Sequence, residues 1–117
     1  MELRQLDTDT LARHYEEHVG KGFYDDLVAF MSRGPVVAMV VEGPDEQTFS
    51  VMRALINKKR VEDAQPGSIR GDFATTTNEN LVHGSDGPET AAYELGLYFR
   101  EDELISWTHD TDRWTLQ

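Results

Sequence analysis

One histidine stands where a nucleophile could act. His83 ends a short apolar run, 81–83, and Gly84 follows it directly. A glycine at that point permits a tight turn, which would leave a ring nitrogen of the histidine exposed. Arg70 lies thirteen positions upstream, in a second turn that contains a glycine. Since arginine binds phosphate well and neutral imidazole is nucleophilic near neutral pH, the pair indicates a phosphoryl group held by Arg70 and attacked by His83.

The composition limits the classes of protein to consider. The 117 residues, 38% of them hydrophobic, suffice for one small domain, which we expect to span 1–117. The absence of cysteine excludes disulfides and thiolate chemistry. No apolar run is long enough to cross a bilayer and no leader-like segment opens the chain, so we expect a cytoplasmic protein without a membrane partner.

The charge balance narrows the choice of partners. With 22 acidic and 11 basic residues the net charge is −11, which repels nucleic-acid phosphates, so we expect no nucleic-acid partner. Five basic residues nevertheless fall within eighteen positions: Arg53, Lys58, Lys59, Arg60 and Arg70. Such a local positive region could attract a small polyanion. For 58–60, a solvated helix end facing the helix dipole is an equally good interpretation.

Hydrophobic periodicity predicts the elements that would position these residues. The predicted order is a weak strand in 1–6, helices over about 7–17 and 23–31, a strand over 36–41, a helix after Pro44, a short strand over 81–83 and a helix from Pro88. Residues 68–80 have no clear pattern and are predicted to be irregular, and the two tryptophans, Trp107 and Trp114, are predicted to be packing anchors. This order predicts an α/β (α+β) fold with one sheet.

Two sequence blocks resemble the nucleoside diphosphate kinase family. They read Arg-Gly-Asp-Phe at 70–73 and Asn-Leu-Val-His-Gly-Ser-Asp at 80–86, a highly specific combination. Further matching segments are His14-Tyr15, 34–40, Glu42-Gly43 and 66–69. The resemblance runs from about 7 to 107, in the order of the family and nearly at its spacing.

The resemblance implies a ferredoxin-like α/β sandwich that begins at the second strand of the family. The first β-strand, with its Lys-Pro-Asp-Gly turn, and the first helix have no counterpart in the sequence. The implied reaction moves the γ-phosphoryl group of a nucleoside triphosphate to a nucleoside diphosphate by a ping-pong mechanism through a phosphohistidine. Mg²⁺ would be carried by the nucleotide phosphates rather than by protein ligands. The resemblance also implies that the protein forms a homo-oligomer.

Residue roles carry over from the same motifs. His83 would be the nucleophile, Glu94 would orient its ring, and Ser85 would support that carboxylate. The remaining implied roles are Tyr15 lining the catalytic pocket, Arg53, Arg70 and Lys59 at the phosphates, Asn80 at the sugar, and Phe23 stacking on the base. Lys59 occupies a position where the family has a threonine. Without the resemblance, Glu94 would be interpreted as a solvent-exposed helix residue and Phe23 as a core residue.

Two alternatives bear on these roles. His14, His18 and His109 have no metal-ligand spacing in the sequence, so no protein metal site is predicted. The missing lysine-bearing strand leaves open a second function, a catalytically weak or inactive nucleotide-binding or interaction module derived from the same family. The combination of His83, Glu94, Arg53 and Arg70 favours the enzyme, because an inactive protein has no physical need for all four.

Overall fold

The computed structural model describes residues 1–43 and 47–115. Two strands and six α-helices occur in these ranges: β1 (Glu2–Arg4), α1 (Thr8–His14), α2 (Tyr24–Met31), β2 (Val36–Ala38), α3 (Gln47–Ile56), α4 (Ile69–Phe73), α5 (Pro88–Tyr98) and α6 (Asp112–Thr115). Short 3₁₀ turns lie at Glu16–His18, Val61–Asp63 and Glu101–Glu103. None of the described helices is long and apolar enough to cross a membrane.

The sheet joins β1 and β2 in antiparallel register. Leu3 lies opposite Val37, and Glu2 lies opposite Ala38. The predicted strand over 36–41 is therefore confirmed only for its first three residues, since the ladder ends at Ala38. The mixed helix and strand content with one small sheet agrees with the predicted α/β (α+β) class.

Local capping accounts for where several helices begin. At α1 the side chain of Asp7 accepts a hydrogen bond from the backbone N–H of Thr10 at 2.6 Å. Helix α5 begins at Pro88, as predicted, because proline costs least in the first turn, where its missing N–H is not needed. The Pro44 prediction lies outside the described residues.

The segment predicted to be irregular contains helix α4. Ser68 caps it, accepting a hydrogen bond from the backbone N–H of Gly71 at 3.1 Å. Five residues are too few to display a helical repeat, so periodicity missed this helix. The prediction for 68–80 is thus wrong over Ile69–Phe73.

The predicted strand over 81–83 is also wrong. These residues form a loop in which Leu81 has φ 75°, outside the β region. The buried guanidinium of Arg70, 3% exposed, donates to the carbonyls of Asn80 (3.3 Å), Val82 and Asn57 (3.0 Å). Those carbonyls are satisfied by a side chain rather than by a neighbouring strand.

The core is small and supports the loop that carries His83. Leu6, Leu11 and Ile56 are the buried apolar residues among those described. A Cβ on Gly84 would lie 2.9 Å from Cδ1 of Ile56, so glycine lets the loop pass directly over α3. The prediction that the tryptophans anchor the packing is wrong, because Trp107 and Trp114 are 73% and 63% exposed.

Candidate active site

Three segments distant in sequence meet at the side chain of Glu94. This residue lies on the buried face of α5, while His14 ends α1 and His83 belongs to the loop before α5. Oε1 of Glu94 lies 2.9 Å from Nε2 of His83 and 2.9 Å from Nε2 of His14. Oε2 of Glu94 accepts a hydrogen bond from the hydroxyl of Ser85. The structure thus joins three predicted site residues, and adds His14, which the sequence did not single out.

The hydrogen bonds assign the proton on each imidazole. An ionised carboxylate only accepts, so both Nε2 atoms must donate their hydrogens to Oε1 of Glu94. The two Nε2 atoms are 3.2 Å apart, and since each carries a hydrogen this distance is a close approach rather than a hydrogen bond. A neutral imidazole with its hydrogen on Nε2 has a free electron pair on Nδ1. The side chain of His83 is 41% exposed, so solvent reaches this ring.

The environment of the carboxylate keeps it ionised. Burial by itself raises the pKa of Glu94, but the hydrogen bond from Ser85 and the adjacent His83 more than offset it, and the net pKa lies below the usual range. Burial, followed by the neighbouring His83, holds the pKa of His14 below its usual range. His14 is therefore neutral at neutral pH, and Glu94 carries the negative charge of the cluster.

Two tyrosines close the inner side of the cluster. Burial, and then the charge of Glu94, raises the pKa of Tyr15 to about 12, so its phenol stays protonated. Burial likewise raises the pKa of Tyr98 to about 12. The O–H of Tyr98 donates to Nδ1 of His14 at 2.6 Å, and Tyr15 stacks on His14 with ring centroids 4.3 Å apart. Tyr15 also lies 6.2 Å from the ring of His83, centroid to centroid, beside the predicted nucleophile.

Two arginines near the loop of His83 differ in their partners: one forms an ion pair and the other binds backbone carbonyls. Arg53, on α3, forms an ion pair with Asp86, three residues after His83, and its side chain is 37% exposed. Arg70 is buried and bonded to backbone carbonyls, including that of Val82 next to His83. Its direct contacts therefore hold the loop in shape, and its predicted role at the phosphates stays a prediction.

The other predicted nucleotide contacts lie around the same region. Lys59 is exposed in the turn after α3, and the side chain of Asn80 is on the loop that Arg70 binds. Phe23 is 51% exposed, with its ring centroid 5.2 Å from that of His18. An exposed ring is available for stacking on a base. The structure therefore leaves Phe23 out of the core.

Sequence reasoning missed His14 and Tyr98. Their contacts span 80 residues between His14 and Glu94 and 84 between His14 and Tyr98, so no spacing rule within one element would find them. The one available signal was that His14-Tyr15 is among the segments resembling the kinase family.

The donor set of the cluster bears on metal binding. His14, His83 and Glu94 offer two nitrogens and one carboxylate oxygen, all within 4.8 Å of one another. Such donors suit a transition-metal ion, whereas Mg²⁺ prefers oxygen ligands throughout. The cluster is therefore a poor fit for Mg²⁺, and the prediction that this ion is carried on the nucleotide stays a prediction.

The family model and the similar known proteins all identify the same family. The family model described as nucleoside diphosphate kinase matches residues 1–104. A nucleoside diphosphate kinase from Thermomicrobium roseum is 49% identical over 116 residues, covering 99% of this chain and 76% of the relative. One from Synechococcus sp. is 46% identical over 117 residues, covering 100% of this chain and 77% of the relative.

Solved structures give the same result. A nucleoside diphosphate kinase family protein from Babesia bovis superposes with a TM-score of 0.89 at 36% identity, covering 97% of this chain and 75% of that one. A halophilic nucleoside diphosphate kinase from Halobacterium salinarum, solved with CDP, superposes with a TM-score of 0.88 at 38% identity, covering 97% and 74%. At 36% and 38% identity, this chain is similar to both proteins in sequence as well as in fold.

Proposed function

The chain belongs to the nucleoside diphosphate kinase family, and we propose that its phosphoryl transfer runs through the Nδ1 atom of His83. The family consists of nucleotide-binding phosphotransferases that use a divalent metal ion, and this chain is a nucleoside diphosphate kinase with the α+β fold of that family. We propose that the ion is Mg²⁺, bound to the substrate phosphates. The residue roles proposed below rest on the contacts around Glu94.

The proposed first step forms a phosphohistidine. The electron pair on Nδ1 of His83 attacks the γ-phosphorus of a nucleoside triphosphate, and the bond from that phosphorus to the β,γ-bridging oxygen breaks. The diphosphate leaves with the electron pair on this oxygen. In the second step a terminal oxygen of another diphosphate attacks the phosphorus, the N–P bond breaks, and its electrons return to Nδ1. The hydrogen on Nε2 stays in place throughout.

Glu94 would assist both steps through its charge. Bond formation at Nδ1 places positive charge on the ring of His83, and Oε1 of Glu94 lies 2.9 Å from Nε2 of that ring. A fixed carboxylate stabilises this charge without rearranging during the reaction. Ser85 bonds to the other carboxylate oxygen and so limits its rotation. The chain of contacts from Ser85 through Glu94 to an exposed His83 is the observation that carries the proposal.

The nucleotide would bind across the exposed side of His83. Positive charges at the phosphates would come from Arg53, Lys59 and Arg70, since phosphoryl transfer depends mainly on positioning and charge neutralisation. Arg53 would exchange its ion pair with Asp86 for a phosphate oxygen. The sugar would contact Asn80, the base would stack on Phe23, and Tyr15 would line the pocket.

Isotope transfer tests the nucleophile. With γ-³²P-labelled ATP and Mg²⁺, the protein should acquire a label that is stable in base, lost in acid, and released on addition of a nucleoside diphosphate. The label should disappear in His83→Ala and persist in the matched control His109→Ala, whose histidine lies outside the cluster. A label that survives in His83→Ala, or a folded protein that never acquires one, would overturn the proposal.

We also propose that the protein is a single-domain cytoplasmic homo-oligomer with no nucleic-acid or membrane partner. Supporting self-association, the cross-strand pair Leu3 and Val37 leaves apolar side chains 70% and 54% exposed on the sheet. Sedimentation velocity should give a mass well above the 13.3 kDa of one chain. A mass equal to one chain would contradict the assembly.

A further inference from the structure

We propose that His14 is a positioning residue for the phosphoryl transfer. Its Nε2–H would hold the Glu94 carboxylate in the orientation that directs Nε2 of His83 inward and leaves Nδ1 of His83 outward. This inference rests on the proposed function, in which His83 is the nucleophile. His14 itself would touch neither substrate nor the reacting phosphorus.

The ring of His14 is held on every side. Its side chain is 4% exposed, and Tyr15 stacks on it with an interplanar angle of 3°. Tyr98 and His83 meet it edge-on, with ring centroids 5.4 and 4.6 Å away. Because the ionised carboxylate of Glu94 can only accept, the hydrogen of the neutral ring is on Nε2, and Nδ1 accepts from the O–H of Tyr98. Both the position and the tautomer of this donor are thus set by neighbouring side chains.

Glu94 needs this second donor because its terminal torsion is intrinsically soft. The last torsion of glutamate has a broad, roughly two-fold profile, so the carboxylate plane is set by its hydrogen bonds rather than by rotamer preference. Ser85 holds Oε2, but Oε1 meets only the two imidazoles among the described residues. The side chain of His83 is 41% exposed, whereas that of His14 is 4% exposed and packed between aromatic rings. The rigid donor is therefore the one that can orient the carboxylate.

The same contacts exclude His14 as a second nucleophile. Both of its nitrogens are used, Nδ1 by Tyr98 and Nε2 by Glu94. Its burial also prevents a nucleotide from approaching either one. Burial further keeps its pKa below the usual range, so His14 donates as a neutral ring and adds no positive charge beside His83.

Two substitutions separate the hydrogen bond from the packing. His14→Gln places an amide N–H near the position of Nε2 and keeps the donor to Glu94. His14→Asn is shorter, leaves its amide nearer to Tyr98 and loses that donor. The rate of phosphohistidine formation should fall about tenfold in His14→Asn, the factor that corresponds to about 1.4 kcal/mol, with the Kd of ADP unchanged. His14→Gln should stay within about threefold of the wild type, since one hydrogen bond is retained.

A spectroscopic signal distinguishes orientation from general packing. The ¹⁵N shifts of His83, recorded above the usual pKa of histidine, should report one dominant Nε2–H tautomer in the wild type and in His14→Gln. In His14→Asn they should shift toward a mixture of tautomers. Equal rates in both variants, or an equal slowing with unchanged ¹⁵N shifts at His83, would overturn the positioning role.

A second variant keeps the test decisive if His14→Asn does not fold. Tyr98→Phe removes only the O–H that donates to Nδ1 of His14, and it should slow phosphohistidine formation about threefold while moving the ¹⁵N shifts of both histidines. An unchanged rate and unchanged shifts in a folded Tyr98→Phe protein would refute the proposal. Failure of the wild type to form phosphohistidine would instead remove the function on which it rests.

Discussion

Removing the charge of Glu94 without changing its shape tests how the site stabilises the phosphorylated ring. In Glu94→Gln the side-chain oxygen can still face both imidazoles, and the amide can donate to the oxygen of Ser85, whose hydroxyl is free to rotate. The contacts at 2.9 Å to His83 and His14 should therefore persist. What disappears is the negative charge beside the ring that becomes positive.

The expected loss follows from the separation. Two unit charges 2.9 Å apart interact by about 6 kcal/mol at an effective dielectric constant of about 20. The ring carries only part of a unit charge in the transition state and is 41% exposed, so solvent screening and partial charge leave about 2–3 kcal/mol. Phosphorylation of His83 should slow by about 30–150-fold, since each 1.4 kcal/mol is a factor of about ten.

Rapid-quench single-turnover kinetics with labelled ATP measures this rate directly. Glu89→Gln is the matched control, because this substitution removes the same charge at an exposed position of the same helix. ADP binding by calorimetry should be nearly unchanged in both variants. A rate for Glu94→Gln within threefold of Glu89→Gln, or a loss of ADP affinity as large as the loss of rate, would refute this account.

Four other perturbations have defined outcomes. Arg70→Lys replaces three separate guanidinium nitrogens with one ammonium nitrogen, which cannot reach all three carbonyls that Arg70 binds, so urea unfolding should report a loss of about 2–4 kcal/mol from the buried acceptors left unpaired; an unchanged midpoint would contradict this. Asp86→Asn frees Arg53 from its ion pair, and calorimetry should give about threefold tighter ADP binding at low salt; weaker binding would count against it. The depressed pKa of His14 means that its contribution to stability is complete above about pH 6.5 and is lost as the pH falls through the folded-state pKa. His14→Gln should therefore make the unfolding free energy less dependent on pH below about pH 6.5, and an identical slope in the variant would argue against this. Because the net charge is −11, molar KCl should raise the Tm by about 4 °C, or about 1 kcal/mol; a flat or falling Tm would be the contrary result.

The sequence by itself determined those features that depend on residues close together in the chain. Asp7 caps a helix through the N–H three residues later, and Pro88 starts a helix because of its own ring geometry. The family was likewise predictable, since it follows from two contiguous blocks, 70–73 and 80–86. These features depend on residues close together in the chain, so their physical causes can be read in sequence order.

The tertiary structure alone decided how the site is assembled. An apolar run at 81–83 suits a strand, but the guanidinium of Arg70 takes the carbonyl of Val82, and the segment is a loop. A lone His14 near the start of the chain carries no sign of a partner 80 residues away, yet it shares one oxygen of Glu94 with His83. A backbone carbonyl or an imidazole takes its role from whichever group is nearest in space. That neighbour is set by packing between distant segments, which no local pattern encodes.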